Sequence, residues 1–265
     1  MEQATDPRLQ QPSASMTPGG KERKGFHRGR VVGIALWVIG VVALVIVGMV
    51  IHAHPAPWPL EVNVTKTIQG PHPVSCVYSH VPHSQLDTDA DFMNRFDDPI
   101  PSVAIPLGWM VVLALVRWFW QALALGVAVL SGSSVWGGLS LLVGRPRPLP
   151  AFGICVHRVI NAFSFPSGHV THDGVMYGFL LYLSFTRPVR TWRYRWILIP
   201  FQVLAVLYLL AIGYSRLRSG EHWFFDVLGG YLTAALWLFF LIFLYRWIAH
   251  LWAKYHQRRI AKSSV

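Results

Sequence analysis

"SVAIPLGWMVVLALVRWFWQALALGVAVLSGSSVWGGLSLLV", residues 102–143, runs for 42 residues with Arg117 as its sole charge. A transmembrane helix needs about 20 largely apolar residues, so this stretch holds two spans joined by a tight turn around "RWFWQ". Working outward, Val31 to Ile51, Trp196 to Tyr214 and Val227 to Tyr245 carry no charge and each suffices for one span. Val170 to Phe185 is a shorter candidate that contains Asp173; an acid at that depth faces protein or a water-lined cavity. The expectation is an all-α polytopic membrane bundle of about six transmembrane helices. Composition agrees, with 53% hydrophobic and 13% charged residues and 12 tryptophans in 265 positions, unlike an average soluble domain.

The net charge of +11 is mostly topology. "KERKGFHRGR" precedes the first span, Arg117 lies in the second turn, "RPVRTWRYR" follows the fourth span and "KYHQRRIAK" ends the chain. With both termini cytoplasmic, all four fall on the cytoplasmic side, as the positive-inside rule requires. No soluble segment carries a basic face interleaved with aromatics, which argues against nucleic acid as a partner. The domain reading is a disordered basic tail over 1–30, a first span over 31–51, an extracytoplasmic loop over 52–101, a core of five spans over 102–246 and a basic cytoplasmic tail over 247–265. The first apolar run is too long for a signal-peptide core, so it is read as a retained span.

This topology gathers the polar chemistry on the outer face. "GRPRP" (144–148), "FPSGH" (165–169) and "YSRLRSGEHWFFD" (214–226) all fall there. Arginine presents a planar fork that matches phosphate oxygens and keeps its charge, so Arg147 and Arg216, with Arg145 beside them, form a cationic cup. "PSGH" adds the Ser167 hydroxyl and backbone N–H groups at a helix start, where the dipole favours anions. His222 and Asp226 are four apart and share a helix face. A carboxylate bonded to one ring nitrogen leaves the other lone pair free to attack, and His169 is a second imidazole placed to protonate a leaving oxygen. His172, one turn beyond His169, either lines the pocket or packs against protein. For Arg145 and Arg218, snorkelling toward headgroups is the competing reading.

"PSGH" followed by "SRLRSGEHWFFD", which fits S-R-x5-H-x3-D, resembles the second and third signature motifs of the type 2 phosphatidic acid phosphatase family, relatives of the vanadium haloperoxidases. "GRPRP" is similar to the end of the first motif, K-x6-R-P, with Arg147 and Pro148 as its final pair; where that motif has lysine, this chain has Ser140. The resemblance covers roughly residues 100–246. It implies His222 as a nucleophile forming a phosphohistidine, Asp226 as its orienting group, His169 as the acid, and Arg147, Ser167, Gly168 and Arg216 as phosphate ligands. It also implies that no metal or other cofactor takes part.

Five acids, Asp87, Asp89, Asp91, Asp97 and Asp98, cluster near the end of the outer loop. Neither the glycine turn nor the distal glutamate of a calcium loop follows them, and the loop is read as a lid over a lipid headgroup. The two cysteines, Cys76 and Cys155, both fall outside, where a disulfide is permitted. The function expected is hydrolysis of a phosphomonoester or pyrophosphate of a lipid at the outer face of a bacterial inner membrane. Two rivals are a lipid phosphotransferase using the same intermediate and an inactive phospholipid-binding or transport protein. The lipid's identity and the oligomeric state stay open.

Overall fold

The structure, a computed structural model, describes residues 19–70, 85–158 and 160–263, and every regular element among them is helical. In chain order these are α1 (Gly19–Ala53), α2 (Pro59–Gln69), α3 (Gln85–Asn94), α4 (Pro101–Leu115), α5 (Phe119–Val143), α6 (Gly168–Ser184), the short α7 (Arg187–Arg190), α8 (Ile199–Arg218) and α9 (Phe224–Ser263). Val31–Ala53, Phe119–Val143, Arg195–Arg218 and Phe224–Gln257 are long and apolar enough to cross a membrane. The other two expected spans, α4 with 15 residues and α6 with 17, are helical but shorter. The chain divides into two units, Met1–Ile39 and Gly40–Val265, and the site lies within the second.

The turn between α4 and α5 falls where "RWFWQ" placed it. Arg117 takes a left-handed φ of 64° and the Trp118 N–H donates to the Leu113 carbonyl at 2.8 Å. Both basic flanks carry helix. Backbone is helical from Gly19, and α9 continues for 40 residues to Ser263. Beyond Gly230 that segment contains neither glycine nor proline, so nothing in it breaks the helix.

Helix α6 is the hub, packing against α5, α8 and α9. Small residues let the backbones approach, as membrane helix pairs require. A Cβ on Gly174 would lie 2.6 Å from Ala234 and one on Gly178 2.6 Å from Leu238, both on α9. Leu125, Val129, Met176 and Phe179 bury an apolar core between α5 and α6. The aliphatic faces of α4, α5 and α8 stay exposed, an apolar surface of the extent that marks contact with lipid.

The outer segment expected as a loop contains α2 and α3. Helix α3 packs on α8, and α2 on α8 and α9. Its acids pair with cations: Asp87 with Arg218 at 2.8 Å, Asp91 with His157 at 3.0 Å and Asp98 with Arg158 at 2.9 Å. Arg218 also donates to the Ile68 carbonyl at 2.6 Å. It therefore clamps α2 and α3 to α8, where headgroup snorkelling had been the alternative. Gln69 completes the attachment, with Nε2 donating to the Cys155 and Arg218 carbonyls at 2.7 and 3.0 Å. Its Oε1 accepts from the Cys155 N–H at 2.8 Å.

Candidate active site

His222 sits in the turn between α8 and α9, fully buried, two residues after Gly220. Gly220 takes φ +65°, and a Cβ there would lie 1.9 Å from the Cys155 carbonyl oxygen. A glycine is therefore required for the chain to turn and present His222. The ring's Nδ1 lies 2.8 Å from the Ser164 carbonyl, and Nε2 lies 3.2 Å from Arg147 Nη1. A guanidinium only donates and a carbonyl only accepts, so the proton is on Nδ1 and the Nε2 lone pair faces Arg147. Burial, then the charge of Arg147, lowers the imidazole from 6.5 to about 4 against the pull of Asp226. His222 is neutral at neutral pH.

Asp226 does not bond the ring directly. Its Oδ2 is 3.9 Å from Nδ1, beyond hydrogen-bonding distance. The carboxylate instead accepts from the Ser164 hydroxyl, from the Trp223 N–H at 2.8 Å and from Arg145 Nη1 at 2.7 Å. Ser164, which sequence reading passed over, thus stands between the two: its carbonyl fixes the tautomer and its hydroxyl is held by Asp226. The Arg145 carbonyl accepts the Ser164 N–H at 2.8 Å and holds this residue in place.

Of the arginines expected in the cationic cup, Arg147 lines both cavities of the site and Arg145 and Arg216 line neither. Arg145 is completely buried and lines neither cavity of the site. Its Nη1 and Nη2 meet Glu61 at 3.0 and 2.5 Å, its Nη1 also meets Asp226, and its guanidinium lies 5.6 Å from the Trp58 ring centre. Its two terminal nitrogens go to carboxylates and its Nε approaches the Pro55 carbonyl at 3.4 Å, so Arg145 supports Asp226. Glu61 further accepts the Trp58 and Phe225 N–H groups at 3.0 and 3.2 Å, which satisfies a carboxylate with no exposure.

Arg147 does reach the site. Its Nε donates to the Ala162 carbonyl at 3.1 Å and its Nη1 to the Glu221 carbonyl at 2.9 Å. Burial lowers it to about 10, with Glu221 opposing, so it stays charged. Arg216 is buried; its Nε meets Asn94 Oδ1 at 2.9 Å and its Nη1 meets Glu221 Oε2 at 2.9 Å. Glu221 and Asn94 are site residues that sequence reading left without a role.

Two cavities meet at Arg147. One, of ≈ 610 Å³, is lined by Arg147, Arg158, His169 and His172, with Trp136 and Asp98 at its edge. The other, of ≈ 380 Å³, is lined by Arg147, Arg158 and Glu221 under the segment 146–150. His172 therefore lines the pocket, the first of its two alternatives. Ser167 is the N-cap of α6, and its buried hydroxyl makes no hydrogen bond among the described residues. A Cβ on Gly168 would lie 2.8 Å from the Trp136 ring. Burial, then the charges of Arg216, His222, Arg147 and Arg158, push the imidazole of the next residue, His169, well below its ordinary value. Cys155 is buried, and Cys76 lies outside the described residues.

The PAP2 superfamily model matches residues 121–251. Phosphatidylglycerophosphatase B of Bacillus subtilis (strain 168) is 32% identical over 133 residues, which are 44% of this chain and 62% of that protein. The chain thus spans under two thirds of the length of this curated relative. A solved structure, described as the first transmembrane PAP2 type phosphatidylglycerolphosphate phosphatase from Bacillus subtilis, is similar with a TM-score of 0.56. At 18% identity, over 77% of this chain and 94% of that one, the likeness is one of fold. Residues 121–251, which match the PAP2 superfamily model, hold every motif residue described above.

Proposed function

We propose that the protein is an integral membrane lipid phosphate phosphatase acting on a phosphomonoester or diphosphate through a phosphohistidine. The observation that carries this reading is the tautomer of His222. Nδ1 is tied to the Ser164 carbonyl at 2.8 Å, and the Nε2 lone pair meets the Arg147 guanidinium 3.2 Å away. A phosphate held by Arg147 and Arg216 brings its phosphorus to that lone pair. Nε2 attacks, the bond to the leaving oxygen breaks, and His169 supplies the proton to that oxygen. Water then attacks the phosphohistidine with His169 as base, returning phosphate and free His222. The unpartnered Ser167 hydroxyl and the first N–H groups of α6 serve the phosphoryl oxygens. No group of three or more His, Cys, Asp or Glu with metal-binding geometry occurs among the described residues, and the cationic cup takes the role of neutralising charge.

The resemblance of the motifs and the name of the Bacillus relative support a glycerophospholipid phosphate as substrate class. The basic flanks support cytoplasmic termini, an outer-face site and a bacterial inner membrane. The experiment is phosphate release from a lipid phosphate by wild type and by His222→Asn in detergent. Free phosphate from wild type alone is the expected result. A new phospholipid would assign a transferase, and no turnover by wild type would leave a phospholipid-binding role.

A further inference from the structure

Arg158 belongs to none of the three motifs, yet it shares both cavities with Arg147. Its place is set by its neighbours. Ile154 and Val156 are buried against Trp223, the residue after His222, and the preceding His157 is held to Asp91 at 3.0 Å. The Arg158 guanidinium donates to Asp98 Oδ1 at 2.9 Å and approaches Glu221 Oε1 at 3.6 Å. Its side chain is 41% exposed and that of Asp98 35%, whereas that of Arg216 is 0%.

We infer that Arg158 is a further phosphate-binding residue of this site, held by Asp98 until an anion enters. The inference rests on the reading of the cavity as a phosphate site. An exposed carboxylate pair contributes little, and a phosphomonoester dianion offers the guanidinium two charges and a matching pair of oxygens. Arg216 is fixed in place by Asn94 and Glu221, and Arg147 by two carbonyls. Arg147 is likewise half-buried but anchored by those carbonyls, whereas Arg158 is held chiefly by the exposed Asp98, so Arg158 is the one able to move onto the ligand. Its transfer from Asp98 to phosphate also links the outer segment to occupancy of the site.

The test uses the full chain in detergent, with orthovanadate and inorganic phosphate as probes. Binding is read both as inhibition of aryl phosphate hydrolysis and as the rise in unfolding temperature each probe produces. Arg158→Gln is expected to weaken both probes roughly ten- to a hundredfold, on the scale of one charge-assisted contact, and to lower kcat/KM for the aryl phosphate alongside. Arg158→Lys falls between the two, and Asp98→Asn binds the probes at least as tightly as wild type. Unchanged probe affinity in Arg158→Gln, alongside weakened affinity in Arg147→Gln, overturns the inference and leaves the phosphate site standing. Unchanged affinity in both arginine variants overturns the phosphate-site reading itself. Weakening in Asp98→Asn equal to that in Arg158→Gln makes the pair a structural tie and also overturns the inference. Should Arg158→Gln fail to fold, Arg158→Lys decides, and wild-type affinity there overturns it.

Discussion

Arg145 Nη1 lies 2.7 Å from Asp226 Oδ1, and the same guanidinium grips both oxygens of Glu61, so α2 is wired to the acid one turn beyond His222. All three side chains have no exposure. Removing one partner of a buried ion group leaves an uncompensated charge, at a cost of about 3–5 kcal/mol. Arg145→Met and Glu61→Gln are each expected to lower stability on this scale and to reduce kcat through Asp226. The double variant should lose less than the sum of the singles, since the groups are coupled. Unfolding in detergent checks this, and additive losses would show that the residues act separately.

The His222 imidazole, lowered to about 4 from 6.5, makes a prediction about acid stability. The unfolded chain takes up this proton near pH 6.5 and the folded chain only near pH 4. The contribution is therefore fully present above pH 6.5 and is lost as pH falls to about 4, by about 3 kcal/mol at most. Wild type should lose more stability than His222→Asn over that window. Parallel curves for the two proteins would refute a neutral, buried His222.

Gly220→Ala puts a side chain on a left-handed residue whose Cβ position is 1.9 Å from the Cys155 carbonyl. Backbone strain of this kind costs roughly 1–3 kcal/mol before any clash, and the turn that carries His222 must shift. Activity should fall more than expression does. Gly137→Ala is the control: it lies on α5, where an added Cβ would meet nothing within 4 Å beyond the helix's own backbone, and it should be neutral or mildly stabilising.

A bridge between Cys76 and Cys155 would tie the outer segment to the loop between the two phosphate motifs. Closing a loop of roughly 79 residues contributes about 4 kcal/mol in the chain-entropy model. Non-reduced membranes treated with a maleimide should show neither cysteine labelled, and reduction should lower the unfolding temperature. Labelling of both thiols without reductant would remove the bridge.

The apolar runs and the motif spacings are local in sequence, and they determined the helical membrane class and the turn at Arg117 and singled out His222, His169, Arg147, Arg216 and Asp226 as candidates. Helix formation and span length depend on consecutive residues, which is why a single chain reveals them. The partners were another matter. Glu61 meets Arg145 across 84 positions, Asn94 meets Arg216 across 122 and Asp98 meets Arg158 across 60. Nothing in the periodicity of a segment says which distant charge will neutralise it, because that choice is made by the packing of α2 and α3 on α8 and α9. Tertiary structure alone therefore set Arg145 against Asp226 and Glu61 and brought Arg158 to the cavities that Arg147 lines. It also set Ser164 between His222 and Asp226, since a buried charge or donor must find its partner wherever the fold provides one.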